Sequence, residues 1–301
     1  MRLVSFSAED EPARLGVPRG EDVIDVAATG RLRGIAAPET MIELIERGDE
    51  GLALVRELVD GAGPTFTRQD YRLVAPIPRP GKLIGVGLNY SEHVDESART
   101  LDTAKDLPSR PVLFDKPATA LVGPEAAIVH DAELTQQLDW ECELAVVIGR
   151  RARRVRAEDA AAHVFGYSIV NDVSARDQRR SGQWFFSKGQ DSYAPFGPAI
   201  VTADEIADPH DLDLGLRVNG VVKQDSNTRF MLFKIPQLIA DISSGMTLEP
   251  GDVIATGSPS GVGAGMDPPE FLAPGDTVEA HVEGIGTLRN HVVDARDLVD
   301  G

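Results

Sequence analysis

The hydrophobic positions of the chain fall into short runs with two different spacings. Apolar residues alternate from Met1 to Phe6, as in a β-strand, and recur at three- and four-residue intervals from Thr40 to Val59, as in a helix. Three prolines and a glycine then interrupt the pattern between Ala75 and Lys82, which favours a linker. We therefore predict a small N-terminal α+β domain over residues 1–75 and a second domain over residues 76–301.

Short strand-like segments dominate the second domain. We predict strands at 82–86, Ala126–Val129, Glu143–Ile148, Gly166–Asn171, Ala199–Thr202, Leu212–Val218, Asp252–Thr256 and Thr277–Val282. Convincing helical spacing is found at Ala157–Val164 and Lys234–Ser244. Because strands outnumber helices without a βαβα rhythm, the sequence predicts a mixed α/β, β-dominated fold and not a doubly wound sheet.

Composition and charge narrow the classes of partner. The 301 residues are 42% hydrophobic and 26% charged, which is ordinary for a folded globular protein. The formal net charge of -18 would repel nucleic acid and anionic membranes, so we expect neither as a partner. The same charge disfavours an anionic substrate, unless local cations or a metal reverse its sign at the binding site.

Cysteine content and the N-terminal residues indicate the compartment. The single cysteine, Cys142, excludes an intrachain disulfide and fits a reducing cytoplasm. The first residues lack the apolar core of a secretory signal, and the apolar run from Leu144 to Ile148 is far shorter than a membrane span. We expect a cytoplasmic protein in which Cys142 is a small core residue, a catalytic thiol being the less favoured alternative.

Three carboxylates lie at the ends of apolar strands. Glu141 and Glu143 are two positions apart, so a strand places both side chains on one face. Asp172 follows the apolar run 166–171 directly. An all-oxygen ligand set favours Mg²⁺, Mn²⁺ or Ca²⁺ over zinc. The alternative is a solvated strand face on which the glutamates pair with Arg150–Arg154.

These carboxylates belong to a series of motifs that resembles the fumarylacetoacetate hydrolase family. The motifs are GVGLNYSEHVDE (85–96), FDKPATALVGP (114–124), DWECELAVVIG (139–149), GYSIVNDVSARD (166–177), GQWFFSKGQDSYAPFGPAIV (182–201), LRVNGVVKQDSNT (216–228), ISSGMTLEPGDVIATGSPSGVG (242–263) and APGDTVEAHVEGIG (273–286). The resemblance is to bacterial two-part members, such as acylpyruvases, 2,4-diketo acid hydrolases and 2-hydroxyhepta-2,4-diene-1,7-dioate isomerases. It implies a β-roll catalytic domain, bound Mg²⁺ or Mn²⁺ (with Ca²⁺ possible in crystals) and a homodimer.

The resemblance also implies roles for individual residues. Glu141, Glu143 and Asp172 match the metal ligands, whereas Val86 falls near the position of a fourth aspartate found in some members and cannot ligate. The motif residues matched to the catalytic groups are His93 and Glu96, which activate water in hydrolytic members, and Lys188. Serine and phenylalanine usually follow that lysine, but Gly189 and Gln190 stand there in this chain.

Further residues match substrate-binding positions. Arg176 corresponds to a family arginine, and Thr256 to a threonine that helps to hold the substrate carboxylate. The family glutamine has two possible counterparts here, because Gln178 precedes the usual spacing by one residue and Arg179 occupies it. Lys116 matches a recurrent lysine, with a structural role as the alternative. The glycines at 257, 261, 263 and 265 would let backbone N–H groups approach an anion.

Together these residues predict an enzyme that acts on a small anionic 2-oxo acid. We expect metal-dependent hydrolysis of a carbon–carbon bond in a 2,4-diketo acid, an acylpyruvate for example, which releases pyruvate as a stabilised enolate. Water would be activated by His93, oriented by Glu96. The alternatives on the same site are oxaloacetate decarboxylation and isomerisation or tautomerisation of a 2-oxo acid. A metal-binding protein without catalytic activity is the hypothesis from another class.

Overall fold

The computed structural model describes residues 1–8, 11–92, 107–179 and 182–298. Its strands are β1 (Arg2–Ser7), β2 (Arg14–Arg19), β3 (Asp22–Asp25), β4 (Arg72–Val74), β5 (Leu83–Gly87), β6 (Val112–Asp115), β7 (Leu121–Val122), β8 (Ala127–His130), β9 (Leu138–Asp139), β10 (Cys142–Ile148), β11 (Val164–Asn171), β12 (Ser174–Ala175), β13 (Ala194–Thr202), β14 (Asp213–Val218), β15 (Val221–Asn227), β16 (Val253–Ala255), β17 (Thr277–Val282) and β18 (Gly286–Asp294). Its α-helices are α1 (Val26–Arg33), α2 (Met41–Val59), α3 (Phe185–Lys188) and α4 (Ile235–Gly245).

The N-terminal segment joins the largest sheet through its first strand. Ser5 of β1 pairs with both β2 and β4, while Arg2 and Leu3 pair with Val201 and Ile200 of β13. The predicted helix over 40–59 is present as α2, but Gly48 inside it has a φ of 55° and interrupts the helical geometry. Because β1 continues into the sheet of the second domain, the two parts share one sheet, and the boundary at residue 75 stays a prediction.

The described strands form two large sheets and the two-stranded pair β9–β12, and the larger sheet also includes β1–β4 of the N-terminal segment. In the described chain the larger has the order β3-β2-β1-β13-β11-β10-β16-β5-β6, and the smaller has the order β15-β14-β17-β18-β8. Most neighbours are antiparallel, with β16–β5 and β18–β8 among the parallel pairs. The mixed, strand-dominated prediction is therefore confirmed, and a doubly wound sheet is excluded.

Strand β10 lies at the centre of the larger sheet and has apolar side chains on both faces. Leu144, Val146 and Ile148 belong to the core between the two sheets. Ala145 and Val147 pack on the opposite side, against the N-terminal segment. Every residue of β10 is buried, because both faces of this strand are covered.

The predicted elements of the second domain are found, most of them with small shifts of their ends, but the strand predicted at Ala199–Thr202 begins at Ala194 as β13. Thr277–Val282 has the predicted bounds, and the predicted helix at 234–244 is α4. The segment predicted as a helix at 157–164 is a 3-10 helix, Ala157–His163, and Val164 already belongs to β11. None of the helices in the described part of the chain has the length and apolar character required to cross a bilayer.

Candidate metal centre

Strand register brings the three predicted carboxylates together. Cys142 of β10 pairs with Asn171 of β11, so Glu141 and Asp172 adjoin where the two strands meet. The Asp172 N–H donates to the Glu141 carbonyl at 2.8 Å, which fixes this junction. One carboxylate oxygen from each of Glu141, Glu143 and Asp172 lies within 4.8 Å of the other two. The site therefore forms from Glu141 directly before β10, Glu143 within β10 and Asp172 directly after the neighbouring strand β11.

All three carboxylates are buried, which rules out the solvated strand face considered from sequence. Their exposed fractions are 5% for Glu141, 1% for Glu143 and 0% for Asp172. The arginines that were the alternative partners have other contacts. Arg150 pairs with Asp49 at 2.5 Å and Arg151 with Glu249 at 3.3 Å, both at the surface. Buried carboxylates at such short range require positive charge nearby.

Two buried lysines supply part of that charge. Lys188, at the end of α3, donates to Asp172 Oδ2 at 2.5 Å, to Glu141 Oε2 at 3.0 Å and to Ser174 Oγ at 2.8 Å. Lys116, directly after β6, donates to the other Asp172 oxygen at 2.5 Å. Burial lowers the pKa of Lys116 in spite of Asp172. For Lys188 burial also acts to lower the pKa, but the charges of Asp172 and Glu141 outweigh it and raise the value.

Arg176 joins Glu141 to a fourth buried carboxylate. Its Nε donates to Asp139 Oδ2 at 2.8 Å, and its terminal nitrogen forms an ion pair of 2.6 Å with Glu141. The guanidinium side chain is 6% exposed. Burial opposes its charge, but Asp139 and Glu141 together raise the pKa of Arg176.

Glu143 shows that a cation fits this site. No ion pair among the described residues reaches Glu143, and its Oε2 accepts only the Gly257 N–H, at 2.8 Å. Burial, and then the charges of Asp172 and Glu141, raise the pKa of Glu143 well above its usual value. A hard divalent cation would relieve this cost, because its preferred ligands are carboxylate oxygens. The three-carboxylate set therefore fits a metal such as Mg²⁺ or Mn²⁺.

The glycine-rich loop after β16, residues 256–265, donates backbone N–H hydrogen bonds to carboxylates of the protein itself. Gly257 donates to Glu143, while Gly263 and Ala264 donate to the two oxygens of Asp139, at 2.7 and 3.0 Å. The anions that these glycines approach are thus side chains of the chain itself. Thr256 is fully buried, and its hydroxyl donates to the Leu144 carbonyl at 2.8 Å. Its predicted contact with a substrate carboxylate stays a prediction.

The two candidates for the glutamine position have different surroundings. The Gln178 amide donates to the Leu134 carbonyl at 2.6 Å. The Arg179 guanidinium lies over the Trp184 ring, 4.7 Å from its centroid. Burial and the neighbouring Arg176 charge lower the pKa of Arg179, while Glu141 acts in the opposite direction. Of the three candidate metal ligands, Glu141 is the one whose charge acts on Arg179.

Aromatic side chains connect Arg179 with the lysine side of the centre. Trp184 packs edge-on against Phe114 with 5.3 Å between centroids, and Lys188 Nζ lies 5.0 Å from the Phe114 centroid. Gly87 makes this possible, because a Cβ at that position would lie 2.1 Å from the Trp184 ring. The centre thus has one wall made of a lysine, two aromatic rings and an arginine.

The predicted catalytic pair, His93 and Glu96, lies outside the described residues. Four residues beside the site were not predicted from sequence: Asp139, Trp184, Phe114 and Gln224. Asp139 precedes Glu141 by two positions, so the strand spacing that indicated two glutamates extends to a third acid. Gln224 carries no such signal, since it comes from the other sheet and accepts the Cys142 N–H at 2.9 Å.

Comparison with known proteins shows the family of this chain. Residues 82–293 match the family model described as fumarylacetoacetate (FAA) hydrolase C-terminal. A mitochondrial oxaloacetate tautomerase of Bos taurus is 42% identical over 299 residues, covering 97% of this chain and 92% of the relative. The oxaloacetate tautomerase YisK of Bacillus subtilis is 42% identical over 265 residues, covering 85% of this chain and 87% of the relative.

A solved structure gives the same fold. The maleylpyruvate hydrolase of Sphingobium, in complex with manganese(II) and pyruvate, is 32% identical with a TM-score of 0.80, covering 98% of this chain and 99% of that chain. The fold of this structure and the sequence match indicate the same family, and the chain belongs to the fumarylacetoacetate hydrolase family.

Proposed function

We propose that this chain is a divalent-metal-dependent oxaloacetate tautomerase, which interconverts the keto and enol forms of a small dicarboxylic 2-oxo acid. The observation that carries the proposal is the buried carboxylate trio flanked by Lys188 and Arg176, a site built to hold negative charge on a 2-oxo acid. Relatives at 40–42% identity that are named oxaloacetate tautomerases favour this reaction over the hydrolysis expected first.

Glu141, Glu143 and Asp172 would hold the cation, Mg²⁺ or Mn²⁺. A divalent cation supplies a Lewis acid that stabilises an enolate oxygen. Lys188 adds a fixed positive charge beside two of the ligands, and one such preorganised donor contributes about 3–4 kcal/mol to stabilising charge that develops in a reaction. Its contacts with Asp172 and Glu141 also fix the ammonium in position.

The reaction requires one proton to leave carbon and one to reach oxygen. A base removes a proton from C3, the electron pair of that C–H bond forms the C2–C3 double bond, and the C2 oxygen takes up a proton. In this proposal His93 carries the proton at C3, with Glu96 orienting its ring, because the sequence offers no other H-x-x-E pair among the matched motifs.

Charge balance favours a substrate with two carboxylates. The described centre contains four buried carboxylates (Glu141, Glu143, Asp172 and Asp139) against three buried cations (Lys116, Lys188 and Arg176), a balance of -1. One divalent cation makes that +1, which a single substrate carboxylate neutralises. Arg179, over Trp184, adds one further positive charge at the wall of the site. A guanidinium can bind a carboxylate with two of its N–H groups while its other nitrogens keep their protein partners, so Arg179 is the residue that we propose for a second substrate carboxylate.

Carbon–carbon bond hydrolysis is the second candidate. The Sphingobium relative named maleylpyruvate hydrolase supports it at 33% identity, with 98% of this chain and 100% of that chain covered. In that reaction His93 would take a proton from water in place of C3, and an acylpyruvate would release pyruvate. The same metal ligands and Lys188 serve both reactions, so the products distinguish them.

The test measures three reactions with one enzyme preparation. Decay of the enol absorbance of freshly dissolved oxaloacetate reports tautomerisation, and pyruvate release reports decarboxylation from oxaloacetate or hydrolysis from an acylpyruvate. We expect Mn²⁺-dependent enol decay that EDTA abolishes. Rapid pyruvate release from an acylpyruvate, with enol decay at the uncatalysed rate, would overturn the tautomerase proposal in favour of hydrolysis.

Two variants and one control variant sharpen this test. Glu143→Gln removes one ligand charge and should lose metal-dependent turnover, whereas Glu249→Gln changes a glutamate whose ion pair with Arg151 is at the surface and should not. His93→Ala should lose turnover while keeping Mn²⁺ affinity. Full tautomerase activity in that variant would remove His93 from the mechanism.

Assembly and location are part of the same proposal. We propose a homodimer, which light scattering would test, and a cytoplasmic enzyme that requires neither nucleic acid nor a membrane as partner. The single buried cysteine is compatible with a reducing compartment. Burial raises the pKa of the Cys142 thiol to about 12, so this side chain serves as core packing.

A further inference from the structure

Residues 139–143, which carry two of the three candidate metal ligands, are joined to the glycine-rich loop by hydrogen bonds at four of their five positions. Asp139 accepts the N–H groups of Gly263 and Ala264, and the Trp140 indole donates to the Gly261 carbonyl at 3.0 Å. Gln224 links the Cys142 N–H to Ser258 and Pro259, and Glu143 accepts the Gly257 N–H. The order is antiparallel, so the loop and the ligand segment form one unit.

Asp139 makes the largest number of these contacts. Its carboxylate is 0% exposed and accepts four hydrogen bonds, from Trp140 N–H at 2.8 Å, Gly263 at 2.7 Å, Ala264 at 3.0 Å and Arg176 Nε at 2.8 Å. The fit is close, because a Cβ on Gly263 would lie 2.8 Å from Asp139 Oδ1. Four donors around one carboxylate hold it in a single orientation.

The charge of Asp139 reaches the metal ligands through Arg176. This arginine contacts Asp139 with Nε and Glu141 with a terminal nitrogen, so two carboxylates share one buried cation. Without the charge at residue 139, the guanidinium would have Glu141 as its remaining carboxylate partner among the described residues. It would then neutralise Glu141 more fully and compete with a bound cation.

We infer that Asp139 is a positioning residue of the metal centre, which divides the charge of Arg176 between itself and Glu141 and ties that pair to the glycine-rich loop. The inference rests on the metal site of the proposed function. It assigns to Asp139 no contact with the metal or the substrate. The consequence is that metal affinity depends on a carboxylate that is not a ligand.

The test compares two Asp→Asn variants by Mn²⁺ affinity, measured from the electron paramagnetic resonance signal of free Mn²⁺. Asp139→Asn keeps the side-chain shape and should weaken binding roughly 10–100-fold, as loss of partners that orient metal ligands does. Asp177→Asn is the matched control. Asp177 accepts Thr135 Oγ1 at 2.5 Å and the Gln136 N–H at 2.9 Å, and its residue is exposed beside Arg176. We expect wild-type affinity in this control.

A double-mutant cycle separates positioning from general structural damage. In an Arg176→Gln background the charge to be divided is gone, so Asp139→Asn should change Mn²⁺ affinity less than about twofold. A purely structural role for Asp139 would weaken binding equally in both backgrounds and would overturn the inference. If Asp139→Asn alone does not fold, Mn²⁺ affinity of the double variant is compared with that of Arg176→Gln. A change below about twofold supports the positioning role, and a larger loss contradicts it.

Other outcomes are also decisive. Wild-type Mn²⁺ affinity in Asp139→Asn would overturn the role of Asp139 and leave the proposed function intact. A wild-type protein that binds no Mn²⁺ would overturn the metal centre itself, and the inference with it. Weakened binding in the Asp177→Asn control, to the same degree as in Asp139→Asn, would assign the effect to the local backbone and contradict the inference.

Discussion

Lys188 Nζ lies 2.5 Å from Asp172 Oδ2, and both side chains are almost fully buried. The same ammonium lies 3.0 Å from Glu141 Oε2, so one lysine contacts two of the three candidate metal ligands. A charge this close to the ligands opposes a bound cation, yet it stabilises negative charge that develops on a substrate. Lys188 therefore has opposite effects on metal affinity and on catalysis.

The first prediction follows from this opposition. Lys188→Met should lower kcat on oxaloacetate by about 100-fold or more, the loss typical for one electrostatic donor. Mn²⁺ affinity should stay the same or increase, because a competing cation has been removed. Turnover and free-Mn²⁺ titration check the two effects separately. Lys234→Met serves as a control, since Lys234 Nζ contacts backbone carbonyls of Thr228 and Arg229. Parallel loss of affinity and turnover in Lys188→Met would contradict the prediction.

The second prediction concerns the stability of the metal-free protein against pH. The folded-state pKa of Glu143 is raised, so the folded protein holds this proton more tightly than the unfolded chain does. Stability from Glu143 is therefore fully present below the usual carboxyl pKa and is lost as pH rises from there to the raised value. Glu143→Gln cannot ionise, so in EDTA at neutral pH it should be roughly 1–4 kcal/mol more stable than wild type.

Chemical denaturation of both proteins at several pH values, with EDTA present, checks this sign. The stability difference should shrink as pH falls towards the usual carboxyl range, where Glu143 is protonated in both folded and unfolded wild type. Added Mn²⁺ should stabilise the wild type much more than the variant. A variant that is less stable than wild type throughout would contradict the assigned burial cost.

The third prediction addresses the substrate's second carboxylate. Arg179→Gln should lower kcat/KM for oxaloacetate about 10-fold or more, the scale of one lost charge-assisted contact. A monocarboxylic 2-oxo acid should be affected little, because in the proposed function its single carboxylate would bind at the metal side. Gln178→Ala is the matched comparison, since the Gln178 amide is bonded to Leu134. A larger specificity change in Gln178→Ala would give the role to the glutamine.

The fourth prediction concerns the packing of the glycine-rich loop. Gly261 has a φ of 95°, and a Cβ there would lie 2.1 Å from the Lys223 carbonyl oxygen, whereas Gly275 has a φ of 97° and open space around its Cβ position. Gly275→Ala should therefore cost only the backbone strain, on the order of 1–2 kcal/mol. Gly261→Ala should cost clearly more and also weaken Mn²⁺ binding. Equal destabilisation in denaturant titrations would show that the loop can move away from β15.

Local patterns in the sequence predicted most of the elements but missed some of them. Apolar patterns identified β10, β11, β14 and β17. β14 and β17 alternate between buried and more exposed positions, whereas β10 and β11 are buried almost throughout. β15 was missed, because five of the seven residues of Val221–Asn227 are polar and its apolar pair, Val221 and Val222, is exposed. The turn before it carried a signal, as Asn219 and Gly220 both have positive φ and this Asn-Gly pair is typical of a tight hairpin.

The metal ligands could be predicted because they are close in the chain or at matching strand ends. Period two places Glu141 and Glu143 together, and an antiparallel pair brings Asp172 to the same end. Whether they faced solvent was open, because burial depends on what covers the strand. The N-terminal segment and the second sheet cover it, and neither is specified by the local pattern of residues 139–149.

The sequence by itself determined the strand-dominated class of the fold, the carboxylate trio and the family to which the motifs belong. The tertiary structure decided which charges neutralise that trio. Lys116, Lys188 and Arg176 come from three different segments, and Gln224 comes from the other sheet. Contacts between segments far apart in the chain depend on how sheets pack and where loops close, and no periodicity in one strand encodes them. The role of Glu141 therefore depends on Asp139 and Arg176 as much as on its own position in the motif.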